Sequence, residues 1–241
     1  MSAEPTRAEL VALEIADPAD RWEAVGFGVS PEGLIELGGV QLKLGARGEG
    51  IVSWTLRGID TTDSIDGLRT RVVAGSSGPE PPAPSRPIDQ SVNQGRERAP
   101  ERPASACGGQ ATGAAPGPAA VSHPNGAVAV DHVVILTSDF DRTASAVAAA
   151  GMPLRRLAQR DGARQGFRRL GPAIMEIVQA PEVGATRFWG LVVIVSDLDA
   201  LADRLGDLLA RIRPAVQPGR RIAPLRSAAG LGPAVAFMDP S

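Results

Sequence analysis

Two side chains that could do chemistry together are an imidazole and a carboxylate. His132 opens the apolar run Val133-Val134-Ile135-Leu136, and Glu176 interrupts the run Ala173-Ile174-Met175-Glu176-Ile177-Val178. Both runs are short and rich in β-branched residues, which predicts strands. Side chains alternate across a strand. His132, Val134 and Leu136 therefore share one face, and Ile174, Glu176 and Val178 share one face of the other. Ionisable groups set among aliphatics are costly to bury unpaired. Each other, a metal, an arginine or water must compensate them. One imidazole nitrogen and one carboxylate oxygen suit Mn²⁺, Fe²⁺, Zn²⁺ or Ni²⁺ with positions left open for water and a chelating substrate. Without metal, the pair reads as a buried His–Glu hydrogen bond or as a proton-transfer pair. In the latter Glu176 is the base, raised by burial and lowered by nearby cations.

Arginines form the second group of candidates. Arg164, Arg168 and Arg169 surround the strand Gln165 to Leu170, and Arg220-Arg221 follow the turn Gln217-Pro218-Gly219. Arg168 and Arg169 alternate, so one of them faces the same hollow as Glu176, and Arg168 is the candidate. A guanidinium there holds a carboxylate or enolate bidentately. Arg221 and Gln165 are candidates of the same kind, the alternative being a solvated sheet edge. Trp189 either stacks on ligand or packs between modules. His123, in the turn His123-Pro124-Asn125-Gly126, reads as exposed. Cys107 lies in a low-complexity stretch and is no nucleophile. No Gly-rich dinucleotide or phosphate loop, zinc-type cysteine pair or Gly-x-Ser-x-Gly elbow is present.

The elements that must position these groups are readable from pattern. Leu10 to Ile15 is a strand, and Asp17-Pro18 starts a short helix carrying Trp22. Leu34 to Leu37 and Val40 to Leu44 flank Gly38-Gly39 as a hairpin. Ile51 to Leu56 is a further strand, and Asp60 to Asp63 begins a weak helix through Leu68. After the His132 strand, Ser138 and Asp139 cap a helix from Phe140 that Gly151 ends and Pro153 prevents from continuing. Leu154 to Gln159, Gln165 to Leu170 and Ala173 to Val178 are strands. Arg187 to Val195 begins the pattern again, with a helix over Leu198 to Leu209 whose leucines lie on one face. Ala215 to Gln217, Arg221 to Leu225 and Ala234 to Met238 complete it.

Composition bounds the function classes. The formal net charge is −2 and aromatics are 3%, with no tyrosine. No basic field draws in nucleic acid or anionic lipid, and no stacking platform exists for bases. One cysteine excludes an internal disulfide framework and fits a reducing cytoplasm. The first seven residues lack an apolar signal core, and no apolar run is long enough to span a bilayer. The expectation is a cytoplasmic protein; the Ala, Arg, Gly and Pro bias is associated with GC-rich bacterial genomes. From about Gly75 to Ala120, Pro, Gly, Ser, Gln and charged residues dominate. Such a stretch has too little apolar surface to offset the entropy of ordering, so it reads as disordered linker or insertion.

The two C-terminal units of the chain match each other. Asp131-His132-Val133-Val134-Ile135-Leu136-Thr137-Ser138-Asp139 parallels Trp189-Gly190-Leu191-Val192-Val193-Ile194-Val195-Ser196-Asp197. Gly171-Pro172-Ala173-Ile174 parallels Gly232-Pro233-Ala234-Val235. Each unit reads strand, helix, three strands, and Leu10 to Asp17 with Gly39 to Leu44 echoes it. A tandem βαβββ unit resembles the vicinal oxygen chelate superfamily, which includes glyoxalase I, extradiol dioxygenases and bleomycin-resistance proteins. The resemblance implies an α+β fold whose paired modules curl mixed sheets into a cup. Its domains are a degenerate glyoxalase-like part at 1–74, a linker or insertion at 75–127 and a paired-module domain at 128–241. In such a cup the metal ligands come from the first and fourth strands of each module. His132 and Glu176 fall at two of these positions; the others fall on Gly190 and Phe237, or on Leu10 and Lys43, none of which suits a metal. The Asp239-Pro240-Ser241 end makes the final module read as truncated or altered. The resemblance implies a small-molecule ligand and a possible homodimer. It implies either a metal-assisted lyase, isomerase or dioxygenase, or a binding or sequestering protein that has lost half its ligands. A structural module whose linker recruits a partner is a third reading.

Overall fold

In the computed structural model, residues 8–60, 62–74, 122–160 and 162–240 are described. Most of the expected linker, Cys107 and Asp161 therefore lie outside the described residues. The architecture is α+β, with two mixed sheets and three short helices among the described residues.

The larger sheet is built from two copies of one unit. The first is β7 (Ala127–Thr137), α2 (Phe140–Ala149), β8 (Arg156–Arg160), β9 (Ala163–Leu170) and β10 (Ala173–Gln179). The second is β11 (Arg187–Val195), α3 (Leu198–Leu205), β12 (Arg213–Pro214), β13 (Arg221–Pro224) and β14 (Ala234–Met238). The strand order β12-β13-β14-β11-β7-β10-β9-β8 is symmetric about an antiparallel β7/β11 pair. On each side a parallel pair follows, β7 with β10 and β11 with β14. Residues from all eight strands line one cavity. Only a strongly curled sheet brings both of its edges to one hollow. This is the tandem βαβββ cup.

Caps begin both longer helices. The Asp139 carboxylate accepts from Arg142 N at 3.0 Å, and that of Asp197 accepts from Asp199 and Ala200 N at 3.0 and 2.9 Å. The leucine face of α3 buries Leu198, Leu201 and Leu205. The helix stops at Gly206, earlier than the leucine pattern suggests, and a 3-10 turn carries the chain to Leu208. Among the described residues no helix is long and apolar enough to cross a membrane.

The N-terminal residues repeat the plan in reduced form. They comprise β1 (Glu9–Ile15), α1 (Ala19–Ala24), β2 (Leu34–Leu37), β3 (Val40–Lys43), β4 (Ile51–Arg57), β5 (Ser64–Ile65) and β6 (Leu68–Val73). Their order, β2-β3-β1-β4-β6-β5, again centres on an antiparallel pair flanked by parallel ones. The helix expected over Asp60 to Leu68 is instead the β5–β6 hairpin, because the Asp66-Gly67 turn pairs Ile65 with Leu68. Likewise Ala215 to Gln217 is a turn, and the edge strand is Arg213–Pro214.

One continuous core joins this sheet to the face of the larger sheet opposite the cup. Trp54 meets Phe188 edge-on at 5.3 Å between centroids, and Phe27 stacks on Phe237 at 6.0 Å. Two carboxylates, the buried Asp17 and the partly buried Asp66, bind across the junction. Asp17 accepts from Gly232 N at 2.8 Å, and Asp66 accepts from Thr143 Oγ1 and Thr186 Oγ1 at 2.5 and 2.7 Å. His123, read as exposed, is half-buried. Its Nδ1 accepts from Gly28 N at 3.0 Å and its Nε2 donates to Glu36 O at 2.9 Å.

Candidate functional site

The cup encloses about 1400 Å³, more than the roughly 300–1000 Å³ of a typical small-molecule site. Its floor comes from the central strands. Ile174 pairs with His132 and Glu176 with Val134 across β10/β7. Paired residues share a face, so both His132 and Glu176 project into the hollow, and both line it. The aliphatic neighbours Val134, Leu136, Ile174 and Val178 line it with them.

Glu176 sits largely out of water. Burial pushes its carboxyl above the ordinary carboxylate range, against the downward pull of the His132 ring and the Arg160 guanidinium. Such a group is a proton donor below its own pKa and a base above it.

His132 is held by a neighbour that strand alternation would send the other way. In β7, Val192 pairs with His132 but Val193 pairs with Val130, which leaves Asp131 as the extra residue of a β-bulge. The bulge brings the Asp131 carboxylate beside the ring, with Oδ2 2.5 Å from His132 Nδ1. Arg220 Nη1 donates to the other oxygen, Oδ1, at 3.1 Å. Burial of Asp131 pushes its carboxyl up, but His132 and Arg220 outweigh this and hold it below its ordinary value.

The rim is basic. Arg155, Arg156, Arg160, Arg168, Arg169 and Arg213 line the cavity, against two carboxylates, Glu176 and Glu182. A chain of net charge −2 thus gathers local positive charge at one opening. Across β9/β10 the register is Arg169 with Ile174, Phe167 with Glu176 and Gln165 with Val178. Phe167 and Gln165 therefore face the cup with Glu176. Arg156 pairs with Phe167 from β8 and places its guanidinium 5.5 Å from that ring centre.

Of the residues singled out from sequence, His132, Glu176, Gln165 and Trp189 come together at the cup. Trp189 is the extra residue of a second bulge, between Phe188 and Gly190, and stands 48% exposed at the rim. Arg168 pairs with the core residue Met175, so the pleat gives the inward direction to Arg169. Arg168 borders the cavity from its edge and donates to Pro153 O at 3.4 Å. Arg221 points to the helix side, bonded to Asp239 at 2.7 Å and to Asp199 of α3 at 2.9 Å. It is not among the cavity-lining residues. Arg220, named with Arg221 among the candidate arginines, reaches His132 through Asp131 and does not line the cavity; Asp131, Phe167, Arg156 and Arg160 belong to the site without having been singled out. Period-two counting from Glu176 through the hairpin finds Phe167; no local signal marks the bulge at Asp131.

The donor set does not fit a divalent metal. Among the described residues no group of three His, Cys, Asp or Glu side chains is placed to hold an ion. The second unit supplies none. A Cβ on Gly190 would stand 2.0 Å from Ala234 O, so no side chain fits where the repeat would place a first-strand ligand. Phe237, aligned with Glu176 by the repeat, is fully buried in the core, and Ala236 takes the cup-facing place.

No family model matches the chain, and no curated protein matches it. Solved structures do. Methylmalonyl-CoA epimerase from Mycobacterium tuberculosis is similar at 20% identity and TM-score 0.42, over 48% of this chain and 90% of that one. A variant of the Streptomyces coelicolor methylmalonyl-CoA epimerase, in complex with 2-nitronate-propionyl-CoA, is similar at 16% and 0.40, over 48% and 96%. A hypothetical protein from Bacillus halodurans is similar at 14% and 0.39, over 46% and 94%.

Proposed function

We propose that this chain is a glyoxalase-like protein of the vicinal oxygen chelate type. In this reading its cup, within residues 128–241, binds a small organic anion, and residues 1–74 form a degenerate glyoxalase-like N-terminal part. The anionic end of the ligand lies among the rim arginines. The uncharged end lies on the aliphatic floor beside Glu176 and His132. The observation that carries the reading is the combination of an apolar floor bearing one carboxyl and one imidazole with a rim of arginines. Proton transfer is the chemistry these groups supply. Glu176 takes or returns a proton at carbon or oxygen, and His132 accepts a hydrogen bond from the same ligand end. That corresponds to isomerase- or lyase-type chemistry with no step through a metal. The roles proposed for Gln165 and Trp189 are contacts to the ligand.

A second reading, a binding or sequestering protein, is favoured by Gly190 and Ala236, which leave the second half of the floor without donors. One experiment separates the two. Malonate, succinate and 2-hydroxy acids, each with its neutral amide, are titrated by ligand-observed NMR and calorimetry. Acids bind and amides do not, and Arg156→Ala with Arg160→Ala weakens binding several-fold. Equal binding of acids and amides, or none, overturns the anion site. For an acid that binds, solvent deuterium entering at the carbon beside the carboxylate, and lost in Glu176→Gln, supports proton transfer. Binding without exchange supports sequestration.

A further inference from the structure

We propose that Asp131 and Arg220 are positioning residues that lock the His132 ring with its proton on Nδ1, so that Nε2 is presented to the cup as a fixed hydrogen-bond acceptor. The inference rests on His132 facing the cup, as the proposed function requires, and concerns residues outside that reading.

Consecutive residues of a regular strand face opposite ways. Asp131 escapes this rule because it is the bulged residue of β7, and bulges re-aim side chains next to sites. Its carboxylate is then placed between two groups. Oδ1 accepts from Arg220 Nη1 at 3.1 Å, and Oδ2 lies 2.5 Å from His132 Nδ1, an ion-pair contact bent away from hydrogen-bond geometry. Arg220 is itself anchored, donating from Nε to Asp239 O at 2.9 Å at the end of β14. The three side chains are 10%, 6% and 10% exposed for Asp131, His132 and Arg220. The contacts therefore run from the β13/β14 edge of one unit to the first strand of the other.

Apolar side chains would fill this corner without the desolvation cost of buried charges. What the carboxylate adds is direction. A carboxylate only accepts, so the nitrogen facing it carries the proton, and the other nitrogen keeps its lone pair. Phe167 stands edge-on to the ring at 6.4 Å between centroids and limits its rotation from the cup side. A fixed acceptor at this point selects ligands that present a hydroxyl or N–H to the floor, beside the anionic group at the rim.

Two histidines make the test clean. His123 accepts at Nδ1 and donates from Nε2, so it is the opposite tautomer and serves as internal reference. Long-range ¹H–¹⁵N correlation spectra of the ligand-free protein are recorded above the ordinary histidine range, with His132→Gln to assign the signals. The expected wild-type result is Nδ1–H for His132 and Nε2–H for His123. Asp131→Asn then reverses His132. Arg220 claims the amide oxygen, the amide NH₂ faces Nδ1, and the proton moves to Nε2. A wild-type His132 with its proton on Nε2, or on both nitrogens, overturns the proposal. So does an unchanged tautomer in a folded Asp131→Asn. If that variant does not fold, the wild-type spectrum decides. The readout needs no ligand, so failure of anion binding and failure of the tautomer lock are told apart.

Discussion

Replacing Asp66 tests whether the N-terminal sheet and the cup are one cooperative structure. Asp66 sits in the β5–β6 turn at φ 48°, in the left-handed region, and its side chain is 10% exposed. Its carboxylate accepts from Thr143 Oγ1 of α2 and from Thr186 Oγ1 just before β11. Arg142 Nε lies at 2.7 Å but is half exposed, so its share is small. Hydroxyl bonds to a buried carboxylate contribute about 1.5 kcal/mol each at the low end, or about 3 kcal/mol for the two. Alanine in a left-handed turn adds about 1 kcal/mol of backbone strain that Asp and Asn avoid. Asp66→Ala therefore costs about 4 kcal/mol, or roughly 8–16 °C in Tm for a chain of this size. Asp66→Asn keeps the turn and one acceptor and costs about 2 kcal/mol. Thermal and urea unfolding followed by circular dichroism measure both. An Ala variant within about 0.5 kcal/mol of wild type, the range of an ordinary surface change, refutes the reasoning. So does equality of the two variants.

The pH dependence gives a further check on Asp66. Burial raises its carboxyl, but Thr143, Thr186 and Arg142 outweigh this, and the folded-state value is depressed. The stabilisation is thus present above the ordinary carboxylate range and lost as pH falls through the folded value. The gap between wild type and Asp66→Ala narrows on acidification, leaving the pH-independent backbone strain of the turn.

Glu176 has the opposite sign. Its folded-state value is raised by burial, so stability is full at low pH and is lost as pH rises through the folded value. Glu176→Gln should melt higher than wild type at neutral pH, with the gain vanishing on acidification; a gain that persists in acid contradicts the assignment. Gly190→Ala should destabilise by at least about 3 kcal/mol, since its Cβ meets backbone and not a flexible side-chain end. Unchanged urea unfolding would show that β11 and β14 do not approach as closely as described.

Some of this was written in local pattern. Period two placed His132 with Val134 and Glu176 with Val178 on defined faces, because alternation is a property of the strand backbone itself. The caps at Asp139 and Asp197 and the leucine face of α3 follow from backbone groups and spacing within one element. The repeat of strand, helix and three strands followed from the same cues occurring twice. What decides beyond one element could not be read that way. The bulge at Asp131 exists only relative to the partner strand β11, so no local rule turns an aspartate toward the histidine beside it. Arg168 and Arg169 differ only in which one the β9/β10 register points inward. Arg221 was claimed by Asp199 and Asp239, which are near it only once α3 has folded back. Phe237 and Ala236 exchanged places because a shift of one residue in β14 reverses every side chain. Sequence thus fixes what each strand can present, and the pairing of strands fixes which of those groups meet.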